Sequence, residues 1–214
     1  GNAVCGSGRS SRSQTEEKMK LSELDERLLV LRERAKEVRD PTAADETLEL
    51  ILELLEKHRP NRILEIGAAE GLTSCAMLMC SHAHLTAIER NADRASCARS
   101  HFRTFGLESR TELYEGDAGE ILPLLSGEYD LIFLDGPKVQ YRKYLSDCKR
   151  LLRRGGILLS DDVLLFGWVT GEPPKKRKML AEHLREYLRL LETDTELTTE
   201  ILKIGEGLAV STKL

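Results

Sequence analysis

Apolar residues recur at helical spacing near the start of the chain. Leu21, Leu24, Leu28, Leu31, Ala35 and Val38 fall on one face of a helix over Leu21–Arg39. Pro41 breaks it. Thr42–Lys57 has the pattern of a second amphipathic helix, and Pro60 ends that region. The pattern then changes to short apolar runs alternating with helical stretches. Strands are predicted at 62–66, 84–89, 110–115, 129–135 and 155–160, with helices near 71–80, 91–105, 118–125, 138–152 and 175–192. Such alternation predicts a parallel sheet with helices on both faces. The end departs from it. Thr195 to Lys203, Gly205-Glu206-Gly207 and Leu208 to Thr212 read as strand, turn, strand, a β-hairpin. A mostly parallel α/β sheet closed by one antiparallel strand is therefore expected. No internal repeat is visible.

Residues 1–20 are rich in Gly, Ser and Arg and then charged. They read as a disordered or cloning-derived tail. Gly1 to Cys5 has the outline of a myristoylation signal, but Cys5 stands where Ser or Thr is needed. Residues 21–214 read as a single domain, with N-terminal helices over 21–57 and a catalytic core over 61–214. The 214 residues suffice for one sizeable core. No apolar stretch has the length of a membrane span, and no signal peptide is seen, so a cytoplasmic protein is expected. Five scattered cysteines with no C-x-x-C pair read as reduced thiols, not a zinc site.

A net charge of −4 argues against a globally basic nucleic-acid binder. The charge is uneven, however. Lys138 to Arg154 holds seven Lys/Arg against one acid, Asp147, and Lys175-Lys176-Arg177-Lys178 forms a second cluster. Each reads either as a solvated helix face or loop, or as a phosphate-binding rim.

Three strand ends carry candidate ligand-binding chemistry. Glu65-Ile66-Gly67-Ala68-Ala69-Glu70-Gly71 joins the first strand to a helix. Gly67 permits a tight turn and close approach of a ligand. A dinucleotide fold wants G-x-G-x-x-G; here Ala68 replaces the second glycine, and Glu65 and Glu70 crowd the turn with negative charge. That disfavours a diphosphate, and with it an NAD-linked dehydrogenase. It suits a cationic ligand such as S-adenosylmethionine, which carries a sulfonium and an ammonium. Glu89 ends the next strand, where a carboxylate can accept ribose hydroxyls. Asp117, before Ala118, follows the third strand and could bond an adenine amino group; its ordinary alternative is a helix N-cap.

Further along, Asp135 ends one apolar run, and Asp161 and Asp162 end another. Two parallel strands would bring three carboxylates to one sheet edge, where hard oxygen donors suit Mg²⁺ or Ca²⁺. Turn formation after strands is the simpler use of each one alone. Lys138 follows Gly136-Pro137 in the first turn of a helix. The dipole there, and an adjacent metal, would lower its pKa and make it a candidate general base.

These segments together resemble class I S-adenosylmethionine-dependent methyltransferases of the Mg²⁺-dependent catechol and caffeoyl-CoA O-methyltransferase group. The resemblance spans about residues 38–213. It rests on Ile63-Leu64-Glu65-Ile66-Gly67, Asp135-x-x-Lys138-x-Gln140-Tyr141, Leu159-Ser160-Asp161-Asp162-Val163-Leu164 and Gly205-Glu206-Gly207-Leu208-Ala209-Val210-Ser211. Within the group the chain looks most like the bacterial tRNA 5-hydroxyuridine methyltransferases. The resemblance implies a Rossmann-like, seven-stranded sheet with its last strand antiparallel. It implies that Glu65, Gly67 and Thr73, beside Gly71, line the methionine end of the cofactor. Glu89 would hold the ribose, and Asp117 with Ala118 the adenine. Asp135, Asp161 and Asp162 would bind the metal, with Asp135 also near the cofactor, and Lys138 would be the base. The group usually has Asn where this chain has Asp162.

The expected activity is methylation of the 5-hydroxyl of 5-hydroxyuridine at the tRNA wobble position. Basic residues around Arg142, Arg153 and Lys175–Lys178 would hold phosphates, and Phe166 and Trp168 read either as stacking partners or, no less readily, as core or lid packing. The alternative is a small acceptor with two neighbouring oxygens, of the catechol type. A non-catalytic RNA-binding or scaffold protein is a further alternative. A homodimer is expected from the resemblance.

Overall fold

The structure, a computed structural model, describes residues 21–214. The expectations for the tail, Cys5 included, lie outside the described residues. Two helices open the fold, α1 (Glu26–Glu37) and α2 (Asp45–His58). Strands and helices then alternate: β1 (Arg62–Ile66), α3 (Leu72–Met79), β2 (His84–Glu89), α4 (Ala92–Thr104), β3 (Thr111–Glu115), α5 (Ala118–Ile121), β4 (Tyr129–Leu134), α6 (Tyr141–Leu151) and β5 (Leu152–Ser160). The chain ends with α7 (Lys178–Thr193), β6 (Leu197–Leu202) and β7 (Leu208–Lys213). The seven strands lie in the order β3-β2-β1-β4-β5-β7-β6. Only β7 runs against its neighbours, β5 and β6. The expected sheet is thus present, with its single antiparallel strand.

Period-two side chains divide two cores between the faces. Ile63, Leu131 and Phe133 face α1 to α4, while Leu64, Ile66, Ile132 and Leu134 face α6 and α7. Because β1 pairs with both β2 and β4, the winding reverses beside it. Sheets of this kind bind ligands at that reversal, outside the carboxyl ends of the strands.

Some boundaries differ from expectation. The helix expected over 118–125 is one turn of α5, followed by a 3-10 turn containing Pro123. Strand β5 begins at Leu152, earlier than expected, and its pairing with β4 shifts register between Leu152 and Ile157. Gly155, with φ +72°, and Gly156 lie within that irregularity. The two glycines at the start of the expected strand thus mark a bulge inside a longer one.

The opposite sheet edge corrects one functional expectation. The Asp130 carboxylate accepts from the backbone N–H groups of Asn61 and Arg62, each at 2.8 Å, and pairs with Arg153. Arg153 therefore ties together the amino ends of β1, β4 and β5, away from the carboxyl ends. It cannot hold the phosphates of a ligand bound there. Among the described residues, no helix is long and apolar enough to cross a membrane.

Candidate active site

Gly67 follows β1 with φ +91°. A Cβ at this position would collide with the main-chain carbonyl of Asp135 and come within 2.9 Å of the Gly136 Cα. Only glycine lets the turn after β1 lie against the end of β4. The N–H groups of Gly67 and Ala68 donate to the Ile88 carbonyl, at 2.9 and 3.1 Å. Ala69, itself left-handed at φ +49°, donates its N–H to Glu89 Oε2 at 2.8 Å. The Asn91 N–H donates to Glu89 Oε1 at 2.7 Å. Glu89 thus braces the first turn from the second strand, with lone pairs to spare on both oxygens.

Glu65 lies beneath the turn and accepts from the Ser74 hydroxyl. Burial pushes its pKa up to about 8; Ser74 opposes this, and the charges of Asp135 and Glu89 add to it. Glu65 and Thr73 line a small side chamber that also touches Gly67 and Asp135. Gly71 is not in that wall. It starts α3 with φ +75°, and a Cβ there would meet Ala98 and Phe102 of α4 at 3.0 and 3.1 Å. Asp117 is an N-cap, accepting from the Gly119 N–H at 2.7 Å, and it also faces the main cavity beside Ala118.

That main cavity, about 640 Å³, gathers Gly67, Glu89, Asp117, Ala118, Asp135, Lys138, Asp161 and Asp162 into one wall. The segment before α2 contributes Pro41, Thr42 and Ala44, which sequence reasoning missed. The segment is pinned by Arg32, only 2% exposed. Arg32 bonds the Ala43 carbonyl at 2.8 Å, Asp45 at 3.0 Å and Thr42 at 3.1 Å. An arginine on the apolar stripe of α1, between Leu28 and Ala35, is the signal that could have found it. Arg94 adds an ion pair to Asp40 at 3.0 Å.

At the far end of the cavity the three aspartates converge. The Asp135 N–H donates to the Ile66 carbonyl at 2.9 Å, and the Asp161 N–H to the Leu134 carbonyl at 3.0 Å. Asp162 adopts φ +56° and donates its N–H to Asp161 Oδ1 at 2.9 Å. One carboxylate oxygen from each lies within 4.8 Å of the others. Lys138 Nζ sits 2.8 Å from Asp135 and 3.0 Å from Asp162. The lysine ammonium thus pairs with two of the three carboxylates, and three hard oxygen donors of this kind are a set that fits Mg²⁺. Burial raises the pKa of Asp135, partly offset by Lys138. Asp161 is pushed up to about 8 by burial and then by Asp135 and Asp162.

Lys138 departs from expectation. It occupies a three-residue 3-10 turn, Lys138–Gln140, ahead of α6. Burial works to lower its pKa, but Tyr141, Asp135 and Asp162 outweigh that and raise it well above the ordinary lysine value. Direct contact with carboxylates overrides the weak dipole of one short turn. The described state holds an ammonium.

The stacking candidates lie on the loop after β5. Phe166 is 64% exposed, with its ring 5.0 Å from that of Trp168. Leu165 and Phe166 both have positive φ. Glu206 holds them through its carbonyl and carboxylate, while Arg185 bonds the carbonyls of Trp168, Val169 and Gly171.

Residues 10–214 match the model of a family described as O-methyltransferase. The chain belongs to that family. It is an O-methyltransferase of the class I, S-adenosylmethionine-dependent kind. A Mycobacterium avium protein assigned as an O-methyltransferase is 29% identical to it over 194 residues, covering 88% of this chain and 86% of the relative. A Staphylococcus aureus structure assigned as a caffeoyl-CoA O-methyltransferase superimposes with TM-score 0.82 at 31% identity, covering 87% of this chain and 92% of that one. TomG from Streptomyces achromogenes, an O-methyltransferase involved in tomaymycin synthesis and solved with S-adenosylmethionine, shares the fold with TM-score 0.79 at 24% identity, over 88% and 90% of the two chains.

Proposed function

We propose that this O-methyltransferase methylates a hydroxyl of a small acceptor bearing two neighbouring oxygens, with a divalent cation held by Asp135, Asp161 and Asp162. The observation that carries this reading is the meeting of three carboxylates in the same cavity as the Gly67 turn and Glu89. S-adenosylmethionine supplies a methyl group on a positively charged sulfur. Glu89 takes the ribose hydroxyls with its remaining lone pairs, and Asp117 and Ala118 flank the adenine. Gly67, Glu65 and Thr73 border the amino-acid end; Gly71 acts only by shaping the start of α3. The divalent ion supplies a Lewis acid that lowers the pKa of a bound hydroxyl and directs its oxygen. Lys138 would act as the acceptor's base only after Nζ gives up the proton it holds between Asp135 and Asp162.

The small-acceptor reading draws support from relatives such as the Staphylococcus protein. It is also supported by the structural use of much of the basic run in α6 and β5. Lys149 pairs with Asp194 and Glu196, Arg150 with Asp147, and Arg153 with Asp130. The tRNA reading retains one favourable observation: Lys175, Lys176, Arg177 and Lys178 are all exposed. Methylation of a catechol and of an anticodon stem-loop containing 5-hydroxyuridine should be measured side by side, with Mg²⁺ and with chelator. We expect Mg²⁺-dependent transfer to the catechol. Transfer confined to the stem-loop would replace the small-acceptor reading, and chelator-resistant transfer would remove the metal.

A further inference from the structure

Tyr141 opens α6 fully buried, and the sequence motif Asp135-x-x-Lys138-x-Gln140-Tyr141 that contains it assigns it no role. Its hydroxyl lies 3.0 Å from the carbonyl oxygen of Leu134 and 3.0 Å from that of Asp161. The last residues of β4 and β5 in register are Leu134 and Ser160. Past them one main-chain bond remains, from the Asp161 N–H to the Leu134 carbonyl at 3.0 Å, and beyond it the side chains of Asp135 on one segment and Asp161 and Asp162 on the other must converge. The single hydroxyl proton is shared between the two carbonyls, joining the chains where their regular pairing ends.

The rest of the residue is equally constrained. Lys138 Nζ lies 5.3 Å from the centre of its ring. Tyr187 packs against it edge-on, with centroids 5.3 Å apart and planes at 70°. The Tyr187 hydroxyl is paired with Ser160 Oγ at 2.6 Å, on the neighbouring residue of β5. Of the two tyrosines, only Tyr141 bonds the main chain that carries the aspartates, and only Tyr141 has Lys138 over its ring.

We propose that Tyr141 is a positioning residue whose hydroxyl sets the separation of Asp135 from Asp161 and Asp162, and so the affinity and size preference of the dication site. The inference rests on the reading that these aspartates hold a divalent ion. Removing one partner that orients metal ligands typically costs about 10- to 100-fold in metal affinity.

The test uses Tyr141→Phe and Tyr187→Phe in the full chain. Mn²⁺ binding is read by electron paramagnetic resonance, Mg²⁺ and Ca²⁺ by competition, and S-adenosylhomocysteine binding by calorimetry. Tyr141→Phe should weaken Mn²⁺ by about tenfold or more and shift preference towards the larger Ca²⁺, because size discrimination needs a rigid site. Cofactor-product affinity should stay within about twofold. Tyr187→Phe should leave Mn²⁺ affinity within about twofold. If Tyr141→Phe folds only with S-adenosylhomocysteine bound, the titrations are run on that complex and the same outcomes decide. Wild-type Mn²⁺ affinity in Tyr141→Phe, or an equal loss in Tyr187→Phe, would overturn the proposal and leave the function intact. Absence of Mn²⁺ binding by the wild-type chain would overturn both.

Discussion

The two ends of the cavity differ in how their negative groups are satisfied. At the glycine-turn end, each carboxylate has a fixed hydrogen-bond donor: Glu89 has the N–H groups of Ala69 and Asn91, Asp117 that of Gly119, and Glu65 the Ser74 hydroxyl. At the aspartate end, three carboxylates share one lysine and one backbone N–H. The first end has its acceptors fixed by the protein itself, and the second has fewer donors than carboxylates, which is where the proposed dication would sit. On the proposed function, preorganisation would serve recognition at one end and incomplete neutralisation would serve chemistry at the other.

Asp135 belongs to both ends, so its removal is the most severe challenge to this division. Asp135→Ala should lower turnover roughly a thousandfold or more, because loss of a metal's charge stabilisation is worth several kcal/mol. S-adenosylhomocysteine affinity should fall by less than about tenfold. Initial rates and calorimetry read the two effects, and equal losses in both would break the division.

Glu65 gives the next largest effect, through pH. Its folded pKa of about 8 stands above the ordinary 4.5. A raised folded pKa means that its contribution to stability is complete below about 4.5 and is lost as pH rises through about 8. Glu65→Gln does not titrate. Urea unfolding of the ligand-free chain should find the variant more stable than wild type by about 2 kcal/mol or more at the alkaline end of that window. The gap should close towards the acidic end. A constant gap would show that Glu65 titrates normally.

Gly67→Ala should destabilise the fold by about 2 kcal/mol, from steric collision and a left-handed backbone acting together. Denaturant unfolding checks this; a change under about 0.5 kcal/mol would mean that the two turns can separate freely. The smallest effect belongs to Glu89→Gln. It should weaken S-adenosylhomocysteine binding about tenfold, as expected for losing charge-assisted hydrogen bonds, with Mn²⁺ affinity within about twofold. Equal weakening of both ligands would show that the ends are coupled.

Much of the wall was legible because it is local to strand ends. Once β1, β2, β4 and β5 are placed, Gly67, Glu89, Asp135 and Asp161 follow at one edge. The same logic should have excluded Arg153. It and Asp161 flank opposite ends of β5, roughly 25 Å apart at strand rise. The charge of a sequence run says nothing of which edge each residue reaches. Gly71 has a packing use that its place in the turn does not announce: with its positive φ it lies close against α4. Arg32 and Tyr141 act through contacts with segments distant in sequence, which no periodicity encodes. The lysine's charge state depended on distances to two carboxylates, only one of which lies nearby in the chain.

Where the bend after the first strand touches the end of the fourth, no side chain intervenes. The closeness of these two main-chain segments is therefore set by peptide packing alone, and a side chain at residue 67 is a local change that would push them apart.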